Sequence, residues 1–159
     1  MDQKALFLKF WEKDAPATRK VLSRIPEGSD YRPDPKSRTA REIAWLIVRE
    51  EIALGDGLDK GVFEWVEVPA PPTMREVLDT YDRHHDDITR RLQALDSARW
   101  DGNVPFVYQG QEVMSVPGYE NAWGFLLDII HHRGQLSTYL RPMGSKVPQI
   151  YGPSADEPM

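Results

Sequence analysis

The sequence has no cysteine. Structural disulfides, thiolate metal ligands and a cysteine nucleophile are therefore excluded, and any thiolate chemistry must be brought by a small molecule. Long apolar runs are missing too: nothing approaches the roughly 20 residues of a membrane-spanning helix. The opening stretch, Met1 to Trp11, is broken by Asp2, Lys4 and Lys9 and has no extended apolar h-region. Nor is there an excess of positive charge. Lys and Arg number 20 against 25 Asp and Glu, a net charge of -5, and the basic residues are interleaved with acidic ones, as in Arg41-Glu42 and Arg49-Glu50-Glu51. No basic stripe exists for a phosphate backbone. A Ser-His-Asp order, a phosphate-cradling glycine loop and a dinucleotide fingerprint are likewise absent, and Gly55-Asp56-Gly57 reads as a turn. These absences lead us to expect a cytoplasmic protein with neither nucleic acid nor membrane as partner.

What is present suits one folded domain over 1–159. Hydrophobic residues make up 40% and charged residues 28%, an ordinary globular composition, and 159 residues can bury a sizeable core. Four segments carry apolar residues near the 3.6-residue period, which predicts helices at 2–24, 39–58, 73–96 and 119–141. Thr39 with Glu42, and Thr73 with Glu76, have capping-box spacing and announce the second and third helices. The first contains Pro16, a potential kink. The second is expected to fray near Gly55 or Gly57. Between Ala98 and Gly118 the helical period disappears, and Val104–Tyr108 and Gln111–Val116 form β-prone runs joined by Gln109-Gly110, a short hairpin. The predicted fold class is an all-α four-helix bundle with this hairpin-like insert between helices three and four. The proline-rich tail after Gly144 is expected to be extended.

The stretch most suggestive of chemistry is Asp128-Ile129-Ile130-His131-His132-Arg133-Gly134-Gln135-Leu136. Asp128 and His132 stand one helical turn apart on one face, so a carboxylate and an imidazole can grip a single ion from one rigid element. The blander reading is a carboxylate that orients a core histidine. The chain neighbours Leu126, Leu127, Ile129 and Ile130 are apolar, and polar groups among them need partners.

His131-His132-Arg133-Gly134-Gln135-Leu136 followed by Tyr139-Leu140-Arg141, then Val147-Pro148-Gln149-Ile150-Tyr151-Gly152, resembles the end of a DinB-like protein, from the damage-inducible group distinct from the DNA polymerase sharing that name. Thr39-Ala40-Arg41-Glu42-Ile43-Ala44-Trp45 resembles the start of that family's second helix. The resemblance implies a four-helix bundle of DinB-like type, usually a homodimer, with a divalent metal (zinc, nickel or manganese) held by three side chains. One would come from helix two and two from helix four. Some relatives resemble thiol S-transferases that use bacillithiol, mycothiol or glutathione.

Two positions depart from the pattern. Asp128 replaces the earlier helix-four histidine, and carboxylate oxygen is a competent ligand. Leu46 stands where the helix-two histidine is expected, and it offers no ligand atom. Candidates for the third ligand are Glu50, one turn beyond Leu46, Glu51, and His85 on the inward stripe of helix three. Each has a structural alternative: a salt bridge for Glu50 or Glu51, a core hydrogen bond for His85. Glu51 is also a candidate partner for His132 or Arg133. Arg133 and Gln135 are assigned to packing and capping, and the stripe Phe7, Phe10 and Trp11 to the core or a dimer interface. Two functions stay open. One is a metal-dependent transferase or hydrolase acting on a small molecule that enters near the 98–118 insert, with Glu50 or Glu51 as general base if not a ligand. The other is a metal-free, non-enzymatic small-molecule-binding protein.

Overall fold

Two threonines start two of the long helices as their spacing predicts. The computed structural model describes residues 2–159. In it, helix α1 (Gln3–Ser23) is capped by Asp2 and α2 (Ala40–Lys60) by Thr39. Helix α3 (Met74–Ala94) is capped by Thr73. Both threonine caps form full capping boxes, with Glu42 and Glu76 reaching back to the cap backbone. The last long helix, here α5, spans Gly118–Leu140, and α4 is a single short turn at Ser97–Asp101. Boundaries of the four long helices lie within one or two residues of those expected, the range over which helix ends fray.

The all-α expectation is overturned. Strands β1 (Phe63–Trp65), β2 (Asn103–Tyr108) and β3 (Gln111–Pro117) form a three-stranded mixed sheet in the order β1-β2-β3. The expected hairpin supplies β2 and β3, with Gln109 and Gly110 both at positive φ in the connection, as a two-residue turn of matching twist requires. What the hairpin reading omits is β1, which pairs parallel to β2 with Phe63 opposite Phe106. Three residues carry no readable alternation, and their partner strand lies about forty residues away, so the pairing leaves no local signal.

Helix α2 does not fray at Gly55 or Gly57. It continues to Lys60 and stops at Gly61, whose φ of 79° supplies the left-handed cap. The glycine at 57 serves close approach: a Cβ there would stand 2.0 Å from the Phe63 ring. Gly55-Asp56-Gly57 is thus helical, not a turn, and lets β1 lie against α2. Phe63 also meets Phe106 and Phe125, with centroids 6.0 and 5.4 Å away, which fastens the sheet to α5.

The core runs between the helices through Phe7, Leu22, Ile47, Leu54, Ile88 and Leu126, all essentially inaccessible. Each such side chain stabilises the fold by roughly 1.5–3 kcal/mol relative to exposure. One ion pair is buried within it: Arg133 on α5 donates from Nη1 to Oδ2 of Asp14 on α1 at 2.5 Å. From the tail, Tyr151 donates its hydroxyl to Oδ1 of the same Asp14. The tail is not extended but folds back on itself, Val147 N–H donating to Asp156 and Gln149 N–H to Glu157, and it is further tied by Asp156 to Arg141 and by Glu157 to Arg24. No helix among the described residues is long and apolar enough to cross a membrane.

Candidate metal centre

The middle of α2 and the C-terminal half of α5 face each other across a cavity of about 500 Å³. From α5, Asp128 and His132 project one turn apart, as the spacing dictates. Opposite them Glu50 projects from α2. Nε2 of His132 stands 3.5 Å from Oε1 of Glu50 and 3.5 Å from Oδ1 of Asp128. One ligand atom from each of these three residues can be chosen so that all lie within 4.8 Å of one another.

The three side chains differ in setting. Glu50 is 4% exposed and His132 12%, whereas Asp128 is 55% exposed at the cavity mouth. The pair on α5 therefore stands on an open cavity wall, not sealed among the apolar residues beside it in sequence. Leu127 is in fact 60% exposed. Burial, reinforced by the adjacent Asp128 carboxylate, pushes the Glu50 carboxyl up to about 10. Its Oε2 is buried with no hydrogen-bond partner.

The tautomer of His132 is set by Gln135, one turn further along α5. The distance from Nδ1 to Gln135 Oε1 is 2.9 Å. An amide oxygen only accepts, so Nδ1 carries the hydrogen and Nε2 keeps its lone pair toward the two carboxylates. Metal-bound histidines are oriented by such a partner on the other ring nitrogen. Gln135 thus orients the imidazole, a role beyond the packing and capping assigned to it from sequence. The three-residue spacing from His132 was the available signal.

These groups fit a divalent cation. Ligands sharing a four-coordinate ion at about 2.1 Å stand about 3.4 Å apart. The two separations from His132 Nε2, to Oε1 of Glu50 and Oδ1 of Asp128, are close to that. An imidazole with two carboxylates suits zinc, nickel or manganese.

His85 and Glu51 belong elsewhere. They pair with each other, His85 Nδ1 lying 2.9 Å from Glu51 Oε2, and the imidazole is stacked between Trp11 and Tyr81. Burial opposes the charged imidazole, but the hydrogen bond and charge of Glu51 outweigh it and raise the His85 pKa. Glu51 is therefore the partner of neither His132 nor Arg133, whose ion pair is with Asp14. Leu46 does face the cavity, one turn before Glu50. So do Phe106 of β2 and Met114 of β3, which makes the sheet one wall of the site. His131, exposed beside His132, also lines it.

Comparison with known proteins finds relatives over nearly the whole chain. A curated relative, the uncharacterized protein YrdA of Bacillus subtilis (strain 168), is 30% identical over 158 residues, covering 95% of this chain and 89% of YrdA. Among solved structures, a DinB-like protein from Bacillus cereus ATCC 10987 superposes with a TM-score of 0.74 at 21% identity, over 91% of this chain and 95% of that one. The DinB-like protein YjoA of Bacillus subtilis gives 0.70 at 18% identity, over 91% and 97%. The overall fold is thus shared with these two proteins, and because the family model of DinB matches residues 1–159, this chain belongs to the DinB family.

Proposed function

We propose that this protein binds a divalent metal ion through Glu50, Asp128 and His132 and uses it to act on a small molecule, as a transferase or hydrolase. The observation that carries the reading is the convergence of three ligand-capable side chains from two helices on one open cavity, with Glu50 occupying the role that Leu46 cannot fill. When bound, such an ion supplies Lewis acidity and lowers the pKa of a water or thiol brought to it. The protein's own groups would do the rest. Phe106, Phe125 and Trp65 give the cavity apolar walls that exclude water from part of a ligand. The exposed His131 imidazole, which also lines the cavity, would accept a proton from an incoming nucleophile. Glu51, held by His85, is not at hand as the base. With no cysteine in the chain, a thiol nucleophile would be a cosubstrate.

The competing metal-free reading draws on Leu46, which places an inert side chain on the cavity wall. Metal content of protein purified without an affinity tag or chelator separates the two. Close to one equivalent of divalent metal in the parent, lost in His132→Ala, is expected. Metal-free parent protein whose melting temperature ignores added zinc, nickel and manganese would refute the proposal.

A further inference from the structure

A second cavity, of about 450 Å³, runs alongside the first and shares Arg38, Leu46, Trp65 and Glu67 with it. Its wall carries four cations, Arg32, Lys36, Arg38 and Arg49, against two carboxylates, Glu42 and Glu67. In a chain of net charge -5 this is a local reversal of sign. Both carboxylates are already engaged: Glu42 closes the capping box with Thr39, and Glu67 accepts from Trp65 Nε1. The four cations are not. Among the described residues none of their side chains makes an ion pair or a hydrogen bond, whereas Arg19, Arg24, Arg91, Arg133 and Arg141 all pair with carboxylates. Nε of Arg49 is buried without an acceptor, a costly state that an incoming oxyanion would relieve.

We propose that this second cavity is an anion subsite: a carboxylate or phosphate group of the small-molecule substrate seats among Arg32, Lys36, Arg38 and Arg49 while the reacting end lies at Glu50, Asp128 and His132. The inference rests on the reading of that triad as a small-molecule site. It also answers the charge of the first cavity, where the exposed Asp128 carboxylate would repel an anion. Cations at the far end draw the anionic head away from the triad and fix which end of the substrate reaches it. Arg38, which lines both cavities, marks the junction. Together the two spaces lie within the range of small-molecule sites.

The test uses full-length, EDTA-treated protein, with succinate and inorganic phosphate as probes and the indole NH resonances of Trp45 and Trp65 as the readout. Saturable binding is expected, weakened about tenfold or more in the Arg38→Gln/Arg49→Gln double variant, since guanidinium–oxyanion contacts are among the stronger hydrogen bonds. Arg38→Gln alone, at an exposed position, should weaken it in the same direction if the double variant folds poorly. Arg75→Gln, on the outer face of α3, should leave it unchanged. His132→Ala should also leave it unchanged, because the subsite does not need the triad. A preference between succinate and phosphate tells which head group the site takes. The absence of saturable binding, or equal weakening by Arg75→Gln, would overturn the subsite. Anion binding without any metal response in the parent would instead overturn the metal reading and leave the subsite standing.

Discussion

Oε1 of Glu50 stands 3.5 Å from Nε2 of His132, and this contact joins the middle of α2 to the C-terminal half of α5. It brings a buried, proton-holding carboxyl against an imidazole lone pair. A cation replacing that proton would turn an electrostatic cost into a ligand bond, so stability and metal binding make opposite demands on Glu50.

Glu50→Gln exposes that conflict. In the metal-free fold Glu50 keeps its proton up to about pH 10, whereas in the unfolded chain it ionises near its ordinary value, about 4.3. Between these values the folded state binds more protons than the unfolded one, so this group's contribution to stability falls as pH rises through that window. The glutamine variant should lose all response to divalent metal, yet be more stable than metal-free parent by about 1–3 kcal/mol at pH 7 and by little at pH 4. Urea unfolding at the two pH values checks this. A variant less stable than the parent at pH 7 would refute it.

Gln135→Leu removes the acceptor that fixes the His132 ring. Metal affinity should fall about 10–100-fold, as for other second-layer partners of metal-bound histidines. Because Gln135 is exposed, stability without metal should change by no more than about 0.5 kcal/mol. Calorimetric titration with zinc measures the first effect and thermal unfolding the second.

Leu46→His adds a nitrogen donor to a cavity wall where Leu46 already stands, one turn before Glu50. Thermal shift with zinc, nickel or manganese should increase in the variant. The parent should respond as well under the proposal that Glu50 supplies the third ligand. A large shift in the variant with none in the parent would mean that the natural chain has lost its metal.

The homodimer expected from the family resemblance has a candidate surface. Leu6 and Phe10 on α1 and Leu127 on α5 are exposed by 40, 44 and 60%, and the Phe10 ring lies 5.9 Å from that of Trp123. If the dimer forms through this stripe, light scattering will give twice the chain mass, and Phe10→Glu will yield a folded monomer. A parent monomer at micromolar concentration would contradict the dimer.

Much of the architecture was legible because it is local. Thr39 with Glu42 and Thr73 with Glu76 announce helices within four residues of chain, and the 128/132 spacing fixes a shared face whatever packs against it. The unread parts depend on partners distant in sequence. The β1 strand exists through Phe106, and Gly57 is needed because Phe63 packs on it. The period of helix three puts His85 on its inward stripe, but periodicity does not say which neighbouring helix supplies its partner. It meets Glu51 rather than the cavity. Glu50 could be reached by counting one turn from Leu46, yet only the packing of α2 against α5 selects it over Glu51.

The most direct test of the metal centre is an anomalous-diffraction map from crystals of the untagged protein grown with zinc. The account predicts one strong peak about 2.0–2.2 Å from a carboxylate oxygen of Glu50, one of Asp128 and Nε2 of His132. A peak at His85 and Glu51 instead, or none within ligand distance of His132, would contradict it.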